Sequence, residues 1–511
     1  MPFLAISLLI TLPWLNPFSA GPSPAAVPLL FAWACAAALL GGGSLQADRA
    51  SLDRLVRATA AAWLAAALLS AAIGLLQYFG ATAMFGVWVN GSALGEAYAN
   101  LRQRNQFATL TNIGLAALLW WLAPRQNALD AQDQAVTACP IPLSWRRLLP
   151  LLAAVLLAAG NAASSSRTGM VQLGLLLALT GFWGGWRQPA LRRVLLAAAL
   201  AYALAALALP VLAGLDPNAR GILARLQAGD AACASRLTLW GNVLHLIAQK
   251  PWFGWGWGEL DYAHFITLYP GARFCEILDN AHNLPLQLAV ELGLPAALLI
   301  CGGGLGLAWR AKPWRETDAT RQLAWVVLAL ILLHSLLEYP LWYGPFQMAF
   351  GLSLWFLWCT STRRTRVACH FFETFRPLAT VVYGVLAAIL IAIIAFAGWD
   401  YQRISQIYLT PESRSAAYRE HTLAKVRDSW LFRQQVRFAE LSTTPLTPAN
   451  AAQLRVLATD LLHFSPEPRV AETLIESATL LGRDDEALFY LVRYQAAFPD
   501  RHARWAQQNE R

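Results

Sequence analysis

Residues 377–399 read PLATVVYGVLAAILIAIIAFAGW, 23 consecutive positions without a charged side chain. As a helix rising 1.5 Å per residue the run is about 35 Å long, enough to cross a hydrocarbon core of about 30 Å. A helix of that length in water would need a polar face, and this one has none. Working back toward the N-terminus, comparable stretches run from Phe3 to Phe18, Ala25 to Gly43, Arg57 to Phe79, Gln106 to Ala123, Leu148 to Ala163, Gly169 to Trp186, Leu191 to Ala213, Leu284 to Ala308, Leu323 to Leu337 and Leu341 to Trp358. The pattern predicts an all-α, polytopic helical membrane protein with about 11 transmembrane helices. Composition agrees: 57% of the 511 residues are hydrophobic and 14% charged, too apolar for an ordinary soluble chain. Ser19, Ala20 and Gly21 follow the first stretch as they would a signal peptide. No Lys or Arg precedes its apolar run, however, which favours a retained helix.

Basic residues orient the helices, because Lys and Arg are held on the cytoplasmic side during insertion. One set of alternate loops carries Arg49, Arg54, Arg57, Arg125, Arg146, Arg147, Arg187, Arg192, Arg193, Arg310, Lys312, Arg315, Arg321, Arg363, Arg364, Arg366 and Arg376. The short loops of the other set hold about three, so the N-terminus is expected inside and the C-terminus outside. The formal charge of +9 is then mainly a topology signal. Residues 400–511 balance acid against base, and nucleic acid is not an expected partner.

Four regions follow: transmembrane helices in 1–213, a large non-cytoplasmic loop in 214–283, further transmembrane helices in 284–399, and a soluble α-helical domain in 400–511. The loop contains a helical run from Leu237 to Gln249 and a Gly-Trp alternation over Gly254–Gly258 that favours a tight, aromatic-lined turn. The tail places apolar residues at helical spacing, as in Leu454, Leu457, Leu461 and Leu462, with breaks near Ser465–Pro468 and Gly482–Asp485. Short amphipathic helices so divided suggest stacked hairpins like tetratricopeptide units, without a clean 34-residue period. Cys233 and Cys275 share the outer loop. On an oxidising side they could close a loop of about 42 residues, contributing about 4 kcal/mol in the chain-entropy picture; two unpaired thiols are the alternative.

Polar residues collect at the outer ends of the helices. Arg102, Arg104 and Asn105 precede the fourth; Ser164, Ser165, Ser166, Arg167 and Thr168 lie between the fifth and sixth; Arg236 and Trp240 open the helical part of the loop; His282 and Asn283 close it. Glu291 lies further on, and His334 and Glu338, four apart, are expected on one helix face. Arginines on the outer face run against the positive-inside bias, and phosphate is a good reason for them, since several guanidinium forks can hold a diphosphate without metal. Snorkelling or salt-bridged arginines are the bland alternative. Similarly, His282 could cap a helix, and His334 with Glu338 could be a buried packing pair.

Four stretches together carry a family resemblance: Arg102-Gln-Arg-Asn-Gln106; Ser164-Ser-Ser-Arg-Thr-Gly169; Arg236 and Trp240 followed by Pro251-Trp-Phe-Gly-Trp-Gly-Trp-Gly258; and His282-Asn283 running into Glu291-Leu-Gly293. In these the chain resembles the bacterial O-antigen ligase and polymerase superfamily. His334-Ser-Leu-Leu-Glu-Tyr-Pro340 and the helical tail are similar to the PglL-type protein O-oligosaccharyltransferases within it. The resemblance implies a multi-pass protein of the bacterial inner membrane with a large periplasmic loop and an active site facing the periplasm. It would be a glycosyltransferase using no metal and no cofactor, and its partners would be an undecaprenyl-diphosphate-linked oligosaccharide, membrane lipid and an acceptor protein such as a pilin.

His282 is then the candidate base, with Glu338 the competing base and His334 a further catalytic candidate. Arg167 and Arg236, with Arg102, Arg104, Asn105 and Asn283, are candidates to bind the diphosphate. An alcohol needs a positioned base as its bond to the anomeric carbon forms, and imidazole ordinarily titrates near the working range. Within the same chemistry the product could instead be ligated to lipid A core or be a lengthened O-antigen. A transporter or flippase is the reading from another class, which the missing repeated halves disfavour.

Overall fold

The computed structural model describes residues 1–19, 21–43, 45, 49–123, 143–228, 232–361 and 376–509. Arg125, Arg363, Arg364 and Arg366, with Cys139 and Cys369, lie outside them. Among the described residues the fold is all helical, with no strand. Helices α1 (Phe3–Leu15), α2 (Ala26–Gly41), α3 (Arg49–Tyr78), α4 (Arg104–Leu122), α5 (Leu143–Ala163), α6 (Arg167–Phe182) and α7 (Pro189–Leu212) make the first half of a bundle. The large loop folds into α8 (Ile222–Ala228), α9 (Arg236–Gln249), α10 (Leu260–Ile266) and α11 (Leu284–Leu292). A rod follows from α12 (Leu294–Ala297) through a π-helical turn (Leu298–Gly302) into α13 (Gly303–Ala311). Then come α14 (Ala319–Ser335), α15 (Gly344–Cys359) and α16 (Arg376–Ser405).

The bundle core is built round α3 and α4, from Trp63, Ala67, Leu110, Ile113, Leu157, Ile331 and Phe356. Its outer faces are equally apolar. On α7 the exposed Leu200, Leu204, Leu207 and Val211 form one stripe at helical spacing, a surface that water disfavours and lipid does not. Among the described residues four helices, Ala50–Tyr78, Pro189–Leu212, Leu294–Arg315 and Thr380–Tyr408, are long and apolar enough to cross a membrane, and shorter apolar helices stand among them. The molecule is a helical membrane protein.

One expected span is corrected. The run Leu284 to Ala308 does not form a single helix: α11 ends at Leu292, Gly293 has φ 87°, and a new helix starts at Leu294. A Cβ on Gly293 would come within 2.1 Å of the Trp252 carbonyl oxygen, so only glycine lets the two segments close. Leu288, Ala289 and Val290 of α11 instead join a separate loop core with Leu239, Val243, Leu246, Leu260 and Phe274. Hydropathy could not separate the two helices, because burial in that core requires the same side chains as burial in lipid.

The last expected boundary also moves, since α16 runs through Trp399 to Ser405. Asp400 near its end accepts hydrogen bonds from Ser429 Oγ (2.9 Å) and the Leu431 amide (3.1 Å). Beyond it α17 (Thr422–Val426), α18 (Arg433–Thr443), α19 (Ala451–Leu462), α20 (Pro468–Leu480), α21 (Asp484–Ala497) and α22 (Pro499–Asn509) pack successively. Their core of Leu454, Leu461, Leu474, Ile475 and Tyr494 includes Phe265 from α10, and His463 stacks on Tyr262 and reaches Glu259 at 2.7 Å. The tail domain is therefore docked on the large loop.

Candidate active site

Capping determines where the working side chains stand. Gln103 accepts from the Gln106 amide, Ser166 from Gly169, Ser235 from Thr238 and Asn283 from Leu286. Each cap satisfies an orphan N–H and starts a helix there. The first turns, or the residue just before the cap, then supply Asn105 to α4, Arg167 and Thr168 to α6, Arg236 to α9 and His282 ahead of α11. All line one cavity of about 200 Å³, together with Arg225, Ala234, Leu239, Phe274, Glu276 and Glu338. Positive ends of helix dipoles and three arginines so gathered favour an anion.

Glu338 holds the centre. Its Oε1 accepts from Arg236 Nη2 at 2.6 Å and Asn105 Nδ2 at 3.1 Å, and its Oε2 is 2.8 Å from His282 Nδ1. The direction of the Asn105 bond is set one step away. The Gly169 amide donates to Ser166 Oγ (2.9 Å), leaving that hydroxyl to donate to Asn105 Oδ1 (2.6 Å) and the amide nitrogen to face the carboxylate. Burial acts to raise the Glu338 carboxyl, but the hydrogen bond and charge of His282 and the charge of Arg236 outweigh it and hold the group below its ordinary value. As an acceptor, Glu338 fixes the proton of a neutral imidazole on Nδ1 and leaves Nε2 with its lone pair.

His282 is held firmly. Its backbone has φ 50°, its amide donates to Asn280 Oδ1 (2.7 Å), and its ring meets Tyr339 edge-on with centroids 5.1 Å apart. On either side, Ala281 O accepts from Trp240 Nε1 (3.1 Å) and Asn283 Nδ2 donates to Leu336 O (3.1 Å). Disulfide-bonded Cys233 and Cys275 (Cα–Cα 5.3 Å) tie the start of α9 to the Phe274–Glu276 rim.

Several candidates stand elsewhere. His334 is fully buried with Nδ1 2.9 Å from Thr109 Oγ1, within the helical core and not on the cavity. Glu338 does not share its helix, because α14 ends at Ser335; a turn sends the carboxylate into the cavity and leaves the histidine behind. Arg102 donates to the Pro17 carbonyl and Arg104 pairs with Glu96 at 3.3 Å, so neither lines the cavity. Asn283 serves as cap and tether, and Glu291 accepts from the Gly258 amide (2.8 Å). Arg225 and Glu276 were missed. Both lie in a loop that also holds Arg220 and Arg273, and no spacing distinguishes the ones that face inward.

Profile comparisons match three consecutive parts of the chain: "Protein glycosylation ligase" over residues 97–122, "O-Antigen ligase" over 152–301, and "Virulence factor membrane-bound polymerase, C-terminal" over 322–511. These three matches support an O-antigen ligase/PglL-like superfamily for the chain. Every cavity-lining residue named above, Asn105 and Glu338 included, falls within a matched part. Among individual superfamily proteins, the chain is 26% identical to a general O-oligosaccharyltransferase of Acinetobacter baylyi over 327 residues, 61% of this chain and 52% of that protein. It is 25% identical to a ComP-specific O-oligosaccharyltransferase of the same organism over 293 residues, 57% of this chain and 48% of that protein. The matched part thus spans about half the length of these relatives. No solved structure shows a significant match.

Proposed function

We propose that the chain is a protein O-oligosaccharyltransferase, moving a glycan from an undecaprenyl-diphosphate carrier to a Ser or Thr hydroxyl of an acceptor protein at the periplasmic face of the bacterial inner membrane. One observation carries this: a carboxylate-oriented histidine stands in a cavity that collects three arginines and the starts of four helices. The names of the two relatives support the acceptor class. Arg167, Arg225 and Arg236, with the helix N-termini, would take the charge that grows on the diphosphate as its bond to the anomeric carbon breaks. His282 Nε2 would accept the acceptor's proton as the new C–O bond forms, with inversion at that carbon. In this chemistry the arginines do the work a divalent metal does elsewhere.

Purified protein given undecaprenyl-diphosphate-linked oligosaccharide and a pilin-like acceptor should yield glycosylated acceptor by intact-mass spectrometry. Glycan found only on lipid A core or on the growing glycan would replace protein transfer with ligation or polymerisation. Carrier crossing liposomes without any transfer would make the chain a transporter.

Topology gives a second check. Reporters placed within residues 214–283 or after Asn509 should report a non-cytoplasmic location, and one at Arg315 a cytoplasmic one. A cytoplasmic C-terminus would put the cavity on the wrong side for this chemistry.

A further inference from the structure

The turn over Pro251–Gly258 displays three rings: Trp252 is 71% exposed, Phe253 89% and Trp257 73%. The fourth, Trp255, packs on the loop core, donates from Nε1 to Leu246 O (3.0 Å) and lies under Lys250 Nζ at 4.0 Å. The backbone that carries them is clamped. Trp255 N donates to Val290 O (2.8 Å), Gly256 N to Glu291 O (3.0 Å) and Leu294 N to Pro251 O (2.8 Å). A Cβ on Gly254 would meet the Glu291 carbonyl at 2.4 Å, so the turn cannot rearrange to bury its rings while this clasp holds. A cluster of large apolar side chains held outward on a rigid frame marks a contact surface.

What covers it follows from its neighbour. The clasp joins the turn to the first residue of the 294–311 rod, where Leu294, Leu298, Leu299 and Ile300 continue the exposed apolar surface. That rod is long and apolar enough to span a membrane, so the rings stand where a spanning helix meets water, the level at which Trp collects in bilayers. We propose that Trp252, Phe253 and Trp257 insert at the headgroup–acyl boundary and seat the large loop on the lipid surface. Helix α11, nine residues and about 13 Å long, links this seat directly to His282, so its depth would set the height of the cavity above the bilayer. The seat rests on the membrane assignment alone; only its bearing on a lipid-linked donor depends on the proposed activity.

The test uses full-length protein with Cys35, Cys139, Cys301, Cys359 and Cys369 replaced by serine and the Cys233–Cys275 disulfide kept. F253C or W257C is labelled with the environment-sensitive dye NBD and reconstituted into phosphatidylethanolamine/phosphatidylglycerol liposomes. V456C, at an exposed position on α19, serves as the aqueous control. Lipids carrying a nitroxide high on the acyl chain should remove most of the emission from positions 253 and 257 but little from 456, and aqueous iodide should do the reverse. Iodide quenching at 253 and 257 equal to that at 456 would put the rings in water. Resistance to both quenchers would mean that protein, such as a second copy, covers them. Either result overturns the proposal.

Discussion

The Glu338→Gln variant is expected to insert and to bind the lipid-linked donor, yet to transfer glycan about 10³-fold more slowly, within the range of general acid/base contributions. The magnitude follows from the donors around the carboxylate. Arg236 and Asn105 both donate to Oε1, so a glutamine must turn its carbonyl oxygen toward them and its amide toward His282 Nδ1. A donor facing Nδ1 selects the tautomer with its proton on Nε2, which cannot accept another. The sign of the pH dependence is equally defined. A carboxyl held below its ordinary value keeps its charge through and above the ordinary carboxylate range and loses it only as pH falls through the lowered value. The Arg236 and His282 contacts therefore weaken only below the ordinary carboxylate range, and a limb near neutrality in the activity profile belongs to another group. Wild-type turnover in Glu338→Gln, at matched membrane levels, would reduce the carboxylate to packing.

For His282→Ala the expected loss is about 10²-fold or more in transfer, with insertion and donor binding retained. The residue lines the cavity beside the arginines without supplying the charge assigned to hold diphosphate, so a fall in kcat with donor binding kept is the signature of a lost base. Loss of donor binding to the same extent would make His282 a binding residue. Substantial transfer by His282→Ala, set against none by a folded Glu338→Gln, would move the base to the carboxylate and leave the histidine as a positioning group. Read alone, the sequence presents His282 and Glu338 as rivals; in the structure they are hydrogen-bonded partners.

Much of the fold is legible along the chain. The apolar runs correspond to helices of the bundle, the breaks at Ser465–Pro468 and Gly482–Asp485 separate α19, α20 and α21, and the Gly-Trp alternation is a tight turn with Gly254, Gly256 and Gly258 at positive φ. The failures are specific. Leu284–Ala308 reads as one helix because Gly293 breaks it through contact with Trp252, 41 residues earlier. His334 and Glu338 read as one face because a spacing of four says nothing about a helix that stops at Ser335. Arg102 and Arg104, candidates for the diphosphate by their side of the membrane, stand beside Pro17 and Glu96 and off the cavity, which their position in the chain does not reveal.

The sequence by itself determined that this is a helical membrane protein, and where its polar residues gather at the helix ends. Solvation by lipid acts residue by residue and needs no partner, so it is written in one dimension. Only the tertiary structure decided which of those residues meet. His282 and Glu338 are 56 positions apart, and Arg236 and Glu338 102. Their contacts depend on a helix end, a glycine break and a disulfide-tied rim acting together, and a hydrogen bond requires positions correct to a few tenths of an ångström.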